Sequence, residues 1–221
     1  AVATTFDLNF NTIAEQFTFT RGSEATFVNA QGLIQSTASN DAPRLDYSTG
    51  AKAFLLEPQS TNLITYSELF SDASWTKNSV TLDSGYLAPD GTNTAFKLNG
   101  NNSNMININI TGLVATSTRS IYARTVSGTG TAQLLTHNSN TDNIFTITEQ
   151  WQRFEISTAN NSFPNFFYAA DFRGSGTLSE IILWGANATN DQDYATSYIP
   201  TSGASATRNQ ELCNNATPVI N

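Results

Sequence analysis

Apolar and polar residues alternate with period two along most of the chain, and clusters of Gly, Asn, Asp and Ser break the alternation at short intervals. The segment "MININIT" is the clearest case: Ile106, Ile108 and Ile110 fall on one side of an extended chain, Asn107 and Asn109 on the other. The segments "RSIYART", "DNIFTITE", "WQRFEIST", "NFFYAADF" and "LSEIILWGA" carry the same signal. Helical periodicity is almost absent. Strands recurring every 8–12 residues or so, with turn residues between them, predict an all-β sandwich or barrel.

The first sixty residues behave differently. Short apolar stretches ("FTFTRG", "ATFVN", "GLIQ", "PRLDY", "AFLLEP") are joined by the turns "NAQG" and "STG". Strands this few and short cannot bury a core alone, so the region is expected to pack on the sandwich or on a neighbouring chain. From Thr201 the sequence is polar and without periodicity. The expected organisation is therefore a hairpin-rich region at 1–61, a sandwich at 62–200 and a polar C-terminal linker at 201–221.

Charged residues make up 13% of the chain, and Asn, Thr and Ser supply the remaining polarity. A typical soluble domain carries about a quarter. The net charge of −8 argues against nucleic acid as a partner, because phosphate binding needs a basic footprint. No stretch approaches the roughly 18 apolar residues of a membrane-spanning helix, so membrane insertion is not expected. No secretory leader is visible, and the chain begins at Ala1 with Met105 as its one methionine, which reads as a processed start. The lone Cys213 excludes an internal disulfide and a cysteine-built zinc site. Bulk for a core comes from 14 Phe, 7 Tyr and 3 Trp.

Catalytic chemistry has little to stand on. His137 is the one histidine, and no nucleophile signature accompanies it, so it reads as a loop or strand-face residue. Glycosidases need paired carboxylates, and Glu57, Asp83, Asp90, Asp171 and Glu180 show no telling spacing. No enzyme activity is expected. Asn190, Asp191 and Asp193, with Asp90 in its own turn, form oxygen-rich loops that suit Ca²⁺, although the EF-hand pattern is unmatched and such clusters are also ordinary turn chemistry. A Ca²⁺ site is thus left open, and no other cofactor is expected.

Sugar binding needs flat aromatic faces beside amides and hydroxyls. With Ile121, Ala123, Ile181 and Leu183 facing the core, alternation turns Tyr122, Arg124, Ile182 and Trp184 to the other side of their sheet. Tyr122, Arg124 and Trp184 are therefore the candidate glycan contacts. For Trp75, Trp151 and Trp184 alike, a tryptophan in a sandwich is more often core than platform.

The ordered segments "RGSEATFVNAQGLI", "PRLDY", "LLEPQSTNLITYSELFSDASWTK", "APDGTNTAFKL", "SIYART", "WQRFEIS", "ILWGA" and "ATSYIPTSGASATR" together resemble the tail-fibre, head-fibre and related surface proteins of tailed bacteriophages and prophages. Residues 62–198 resemble a carbohydrate-binding-module jelly roll. At "ILWGANATN" the chain departs from its relatives, which often carry Gln and Glu where Asn187 and Thr189 stand. The resemblance implies a virion-surface, extracellular location, other virion proteins as partners, a homotrimer by analogy with fibres, and reversible adhesion to a polysaccharide or cell-surface glycan. A purely structural capsid decoration or fibre spacer, and an accessory module of a secreted polysaccharide-degrading enzyme, are the alternatives. On this reading the Arg21–Gln35 hairpin is scaffolding, its Arg21 ion-paired with Glu24, Asp46 or Glu57.

Overall fold

A computed structural model describes residues 4–5, 17–101, 103–140, 143–157, 159, 162–214 and 219–220. The chain divides into two compact units. One comprises Thr61–Ala195 and Pro200–Ala206; the other comprises Ala1–Ser60, Thr196–Ile199 and Thr207–Asn221.

The larger unit is built on ten strands: β1 (Trp75–Asn78), β2 (Thr81–Tyr86), β3 (Ala95–Asn99), β4 (Met105–Asn109), β5 (Thr118–Arg124), β6 (Gly130–Leu135), β7 (Ile144–Ile147), β8 (Gln152–Ile156), β9 (Phe166–Asp171) and β10 (Glu180–Thr189). They form two five-stranded sheets, β8-β5-β10-β3-β2 and β7-β6-β9-β4-β1. Every described pairing within them is antiparallel. This is the all-β jelly-roll sandwich expected of this region. The strands β1, β2, β3 and β6 lie outside the segments that alternation predicts. Charged and hydroxyl residues interrupt β1 and β2, and β6 opens on "GTAQ".

Side chains of the two inner faces meet in one core. Ile106, Ile108 and Ile110 enter it from β4 and the residue after it, Ile121 and Ala123 from β5, and Ile181 and Leu183 from β10. Alternation groups Ile106, Ile108 and Ile110 on one side, and the inward facing taken for Ile121, Ala123, Ile181 and Leu183 agrees with this core. Trp75 lies among them, 1% exposed, with Phe70 at 5.0 Å and Phe167 at 6.1 Å between ring centroids.

Alternation fails at bulges. Leu183 faces the core, yet so do Ala186 and Ala188, so the parity of β10 reverses between them. Gly185, at φ +64°, makes the reversal, in a conformation that costs a side-chain-free residue least. The β5–β10 register shifts at this point, between Ser120 and Tyr122. Arg119 also lies on the inner side, fully buried. It bridges the sheets by donating to the carbonyls of Leu135, Pro164 and Phe166 at 2.7–2.9 Å. Burial holds its guanidinium pKa down to about 10, with Tyr168 opposing the shift.

The smaller unit consists of short antiparallel pairs: Thr18–Thr20 with Leu212–Asn214, Thr26–Val28 with Ile34–Ser36, Arg44–Asp46 with Ala53–Leu55, and Thr4–Thr5 with Val219–Ile220. The segment from Arg21 to Gln35 is the expected hairpin. Asn29 Oδ1 accepts the backbone N–H groups of Gln31 and Leu33 to close its turn, and Gly32 sits at φ +79°.

Two expectations are corrected here. The polar tail is not a linker, because Leu212–Asn214 pairs within this unit and Arg208 and Glu211 are buried in it. The partner of Arg21 is none of the three nearby acids but Glu211, at 2.8 Å and 190 residues away. Of the acids expected, Asp46 accepts the Val28 N–H, Glu57 binds Arg44 and Arg208, and Glu24 is exposed.

Arg21, Arg44, Arg208, Glu57 and Glu211 form one buried network. Arg44 holds Glu211 through both Nε and Nη2, at 2.8 and 2.5 Å, and reaches Glu57 at 2.8 Å. Ser197 Oγ donates to Glu57 at 2.6 Å. Burial alone would raise the Glu57 carboxyl pKa, yet Arg208, Arg44 and the Ser197 donors hold it below the ordinary value. The same neighbours replace the water that buried charges lose, which is the condition for such a network to persist.

Candidate functional site

Alternation places Tyr122, Arg124 and Trp184 on the outer face of the first sheet, and none of them belongs to the inter-sheet core. Trp184 is nevertheless 1% exposed, so the expected sugar platform is covered. Tyr122 lies directly opposite it in the register, edge to face at 5.6 Å between ring centroids. Its indole N–H donates to Thr94 Oγ1 at 3.0 Å. Ile182, on the same face, is also 1% exposed.

Trp151 is not core either. It is half-buried on this outer face, lies under the Arg124 guanidinium at 5.4 Å, and donates its N–H to the Leu87 carbonyl at 3.2 Å. Trp151 immediately precedes β8 and Leu87 immediately follows β2, so the bond ties the segment after one edge strand to the start of the other. The Arg153 guanidinium covers the Tyr122 ring at 5.6 Å. The rings singled out from sequence are thus occupied by neighbours of their own chain.

An open, amphipathic groove lies instead at the β2 edge of the sandwich. It encloses about 500 Å³, and Tyr66, Leu69, Phe96 and Pro200 supply its apolar lining. Polar groups surround them: Glu68, Ser84, Asn93, Thr94, Thr201 and Ser202. Tyr66 is fixed from several directions. Its carbonyl accepts the Trp75 indole N–H at 2.9 Å, and its backbone bridges to Ser202. Beside it, Ser67 and Thr201 exchange bonds, Ser67 N–H to Thr201 Oγ1 at 2.9 Å and Thr201 N–H to Ser67 Oγ at 2.8 Å. Phe96 is backed by Phe70, edge to face at 6.1 Å. The "LITYSELF" and "YIPTSG" segments are over a hundred residues apart, and no local pattern joins them. A Tyr followed by hydroxyl residues in each was the only available hint.

Most of the remaining candidates have structural employment, while Asp193 is exposed. Asp171 is paired to Arg173 through both oxygens, at 2.8 and 2.7 Å. Lys97 lies between Asp83 at 3.2 Å and Glu180 at 3.8 Å. Asp90 Oδ1 accepts the Thr92 N–H and hydroxyl. Asp191 accepts the Thr61 N–H, and Asn190 binds Val114 and Gly112. Among the described residues, no three His, Cys, Asp or Glu side chains gather as metal ligands would. His137 packs on Phe163 at 4.2 Å, and its Nδ1 accepts the Ser139 N–H. Burial and the nearby Arg173 lower its pKa against the pull of Asp171.

No protein-family model matches the chain, and no curated protein matches it significantly. Among solved structures it is similar to the CBM22-1 xylan-binding domain of Paenibacillus barcinonensis Xyn10C, with 10% identity over 62% of this chain and 94% of that one and a TM-score of 0.41. It is also similar to the family 11 carbohydrate-binding module of Clostridium thermocellum, solved with a mixed-linked tetrasaccharide, with 8% identity over 65% of this chain and 97% of that one and a TM-score of 0.34. A third likeness is to the CBM22-1 and GH10 modules of a Clostridium thermocellum xylanase, solved with xylohexaose, with 10% identity over 62% of this chain and 29% of that one and a TM-score of 0.35. At such identities and TM-scores, the fold rests on the chain's own strands and registers.

Proposed function

We propose that the protein is a non-catalytic glycan-binding component of a phage virion surface, and that its sandwich holds a sugar unit in the groove at the β2 edge. The observation that carries this reading is the groove's lining, in which Tyr66, Leu69 and Phe96 lie beside hydroxyls, an amide and a carboxylate. A pyranose has the complementary surface, with C–H groups on its faces and hydroxyls on its edges. The location draws on the ordered sequence segments that resemble those of tailed-phage surface proteins. Binding at one small groove is weak, and repetition along a multivalent particle strengthens it by about 10²–10⁴-fold through effective concentration.

The test is retention of the full chain on a glycan array, with Tyr66→Ala to remove the ring and Ser84→Trp to fill the groove. Both variants are expected to lose about tenfold or more in affinity for whichever neutral glycan the unmodified chain retains, with melting temperatures close to the parent's. Undiminished retention by both would remove the groove from the reading.

A further inference from the structure

The smaller unit carries a strand edge that glycan binding does not use. Its first hairpin pairs Thr26 with Ser36, Phe27 with Gln35 and Val28 with Ile34. Asn29 N–H donates to the Leu33 carbonyl at 2.9 Å, and Thr37 N–H to the Ala25 carbonyl at 2.8 Å. Bonded and non-bonded positions alternate along an antiparallel pair, so Phe27 and Gln35 are the bonded pair between these two. The backbone groups of Ile34 and Ser36 therefore point away from the hairpin. On its other side the hairpin is occupied: the Val28 carbonyl accepts Tyr47 N–H at 2.9 Å, and Val28 N–H donates to Asp46 at 2.7 Å. Among the described residues, no strand or side chain meets the outward backbone of Ile34 and Ser36.

Open edges invite further strands, and proteins commonly guard them with lysine, proline or a bulge. This edge has none of these. Residues 25–40 hold no charged residue and no proline, and the hairpin register runs without a shift. Leu33, at the start of the edge, is an exposed large apolar residue. Beside the edge lies a groove of about 310 Å³, lined by Phe27, Pro43, Leu45 and Tyr47, with Thr37 and Ala38 on the side of the edge strand. We infer that a second copy of this chain occupies the edge, its own Ile34–Ser36 strand lying antiparallel to the first about a twofold axis at Gln35.

Charge favours this occupant. Each copy carries a net −8, so two copies repel over most of their surfaces, and a charge-free stretch is where they can approach. Of the flanking acids, Asp41 is turned to the backbone N–H groups of Arg21 and Gly22. An antiparallel strand paired with itself is an isologous contact, in which one patch serves both sides. With Gln35 on the axis, Ile34 of one copy exchanges backbone bonds with Ser36 of the other, through the groups that point outward. Leu33 then lies opposite Thr37 of the other copy, at the groove that Thr37 and Ala38 line. An edge of three residues is short, so the association is weak and depends on concentration.

Analytical ultracentrifugation of the full chain over a dilution series is expected to show a reversible monomer–dimer equilibrium. Gln35→Lys and Gln35→Glu, at an exposed position, each set like charges face to face across the axis and should weaken the dimer about tenfold or more. Mixing the two variants should restore it, because lysine then meets glutamate. Ser36→Pro removes an outward N–H while sparing the hairpin's own bonds, and should weaken the dimer as well. Should the variants fold poorly, the Ile34 and Ser36 amides of the unmodified chain are expected to exchange more slowly with solvent as concentration rises. A chain that stays monomeric, a dimer indifferent to Gln35→Lys, a mixture that remains monomeric, or amide exchange independent of concentration would overturn the proposal. Tyr66→Ala leaves the dimer intact, so this test stands apart from that of the glycan groove.

Discussion

The indole nitrogen of Trp184 donates a hydrogen bond to Thr94 Oγ1 at 3.0 Å, joining a fully buried ring to an exposed residue on the lip of the groove. The ring that the sequence offered as a sugar platform therefore acts from beneath, by holding the wall of a different site.

Trp184→Ala is expected to destabilise the protein by about 3–5 kcal/mol, the cost of truncating a large buried ring. Thermal or urea melts measure this directly. An unchanged melting temperature would return Trp184 to the surface role that alternation alone implied.

Thr94→Val keeps the shape of the lip and removes the acceptor for the indole. The expected loss is about 1 kcal/mol, because Thr94 is exposed and water can replace its hydroxyl in part. Retention on the glycan array should fall as well, since Thr94 lines the groove. A variant with full stability and full retention would disconnect the two.

Glu211→Ala leaves Arg21 and Arg44 buried without a carboxylate they share. Breaking one side of a buried pair costs about 3–5 kcal/mol, and this loss should appear as a lowered denaturation midpoint. Removing every residue after Arg208 should do the same or worse. A tail serving only as a linker would show neither effect.

Stability should decline in acid through Glu57. Its folded carboxyl lies below the ordinary value, so the folded state binds fewer protons than the unfolded state as pH drops. The contribution is full above the unfolded pKa of about 4.3 and is lost as pH falls through the folded one. Melts from neutral pH downward should show this decline, and Glu57→Gln should flatten it. Parallel curves for the two proteins would contradict the network's role.

Much of the fold was legible because burial on one face imposes a period of two. That rule puts Ile106, Ile108 and Ile110 on one side, and the inward facing taken for Ile121, Ala123, Ile181 and Leu183 agrees with the structure. The Asn29–Gly32 turn was legible for a local reason, its asparagine accepting nearby N–H groups and its glycine taking a positive φ. The β6 strand was harder to see, since "GTAQLL" opens on small and polar residues, and its two leucines both reach the core past a register shift.

The amino-acid pattern by itself determined the strand-rich class, the inward set of apolar residues, the first hairpin and the need of Arg21 for a carboxylate. Each follows from interactions within a few residues or from the desolvation cost of a charge. Only the tertiary structure decided that Glu211 meets that need, that the polar tail folds back into strands, that Trp184 is covered, and that Tyr66 and Thr201 share a groove. Those outcomes depend on which distant segments come to lie side by side, and on a bulge at Gly185 that reverses the parity of one strand. Period and composition carry no information about either.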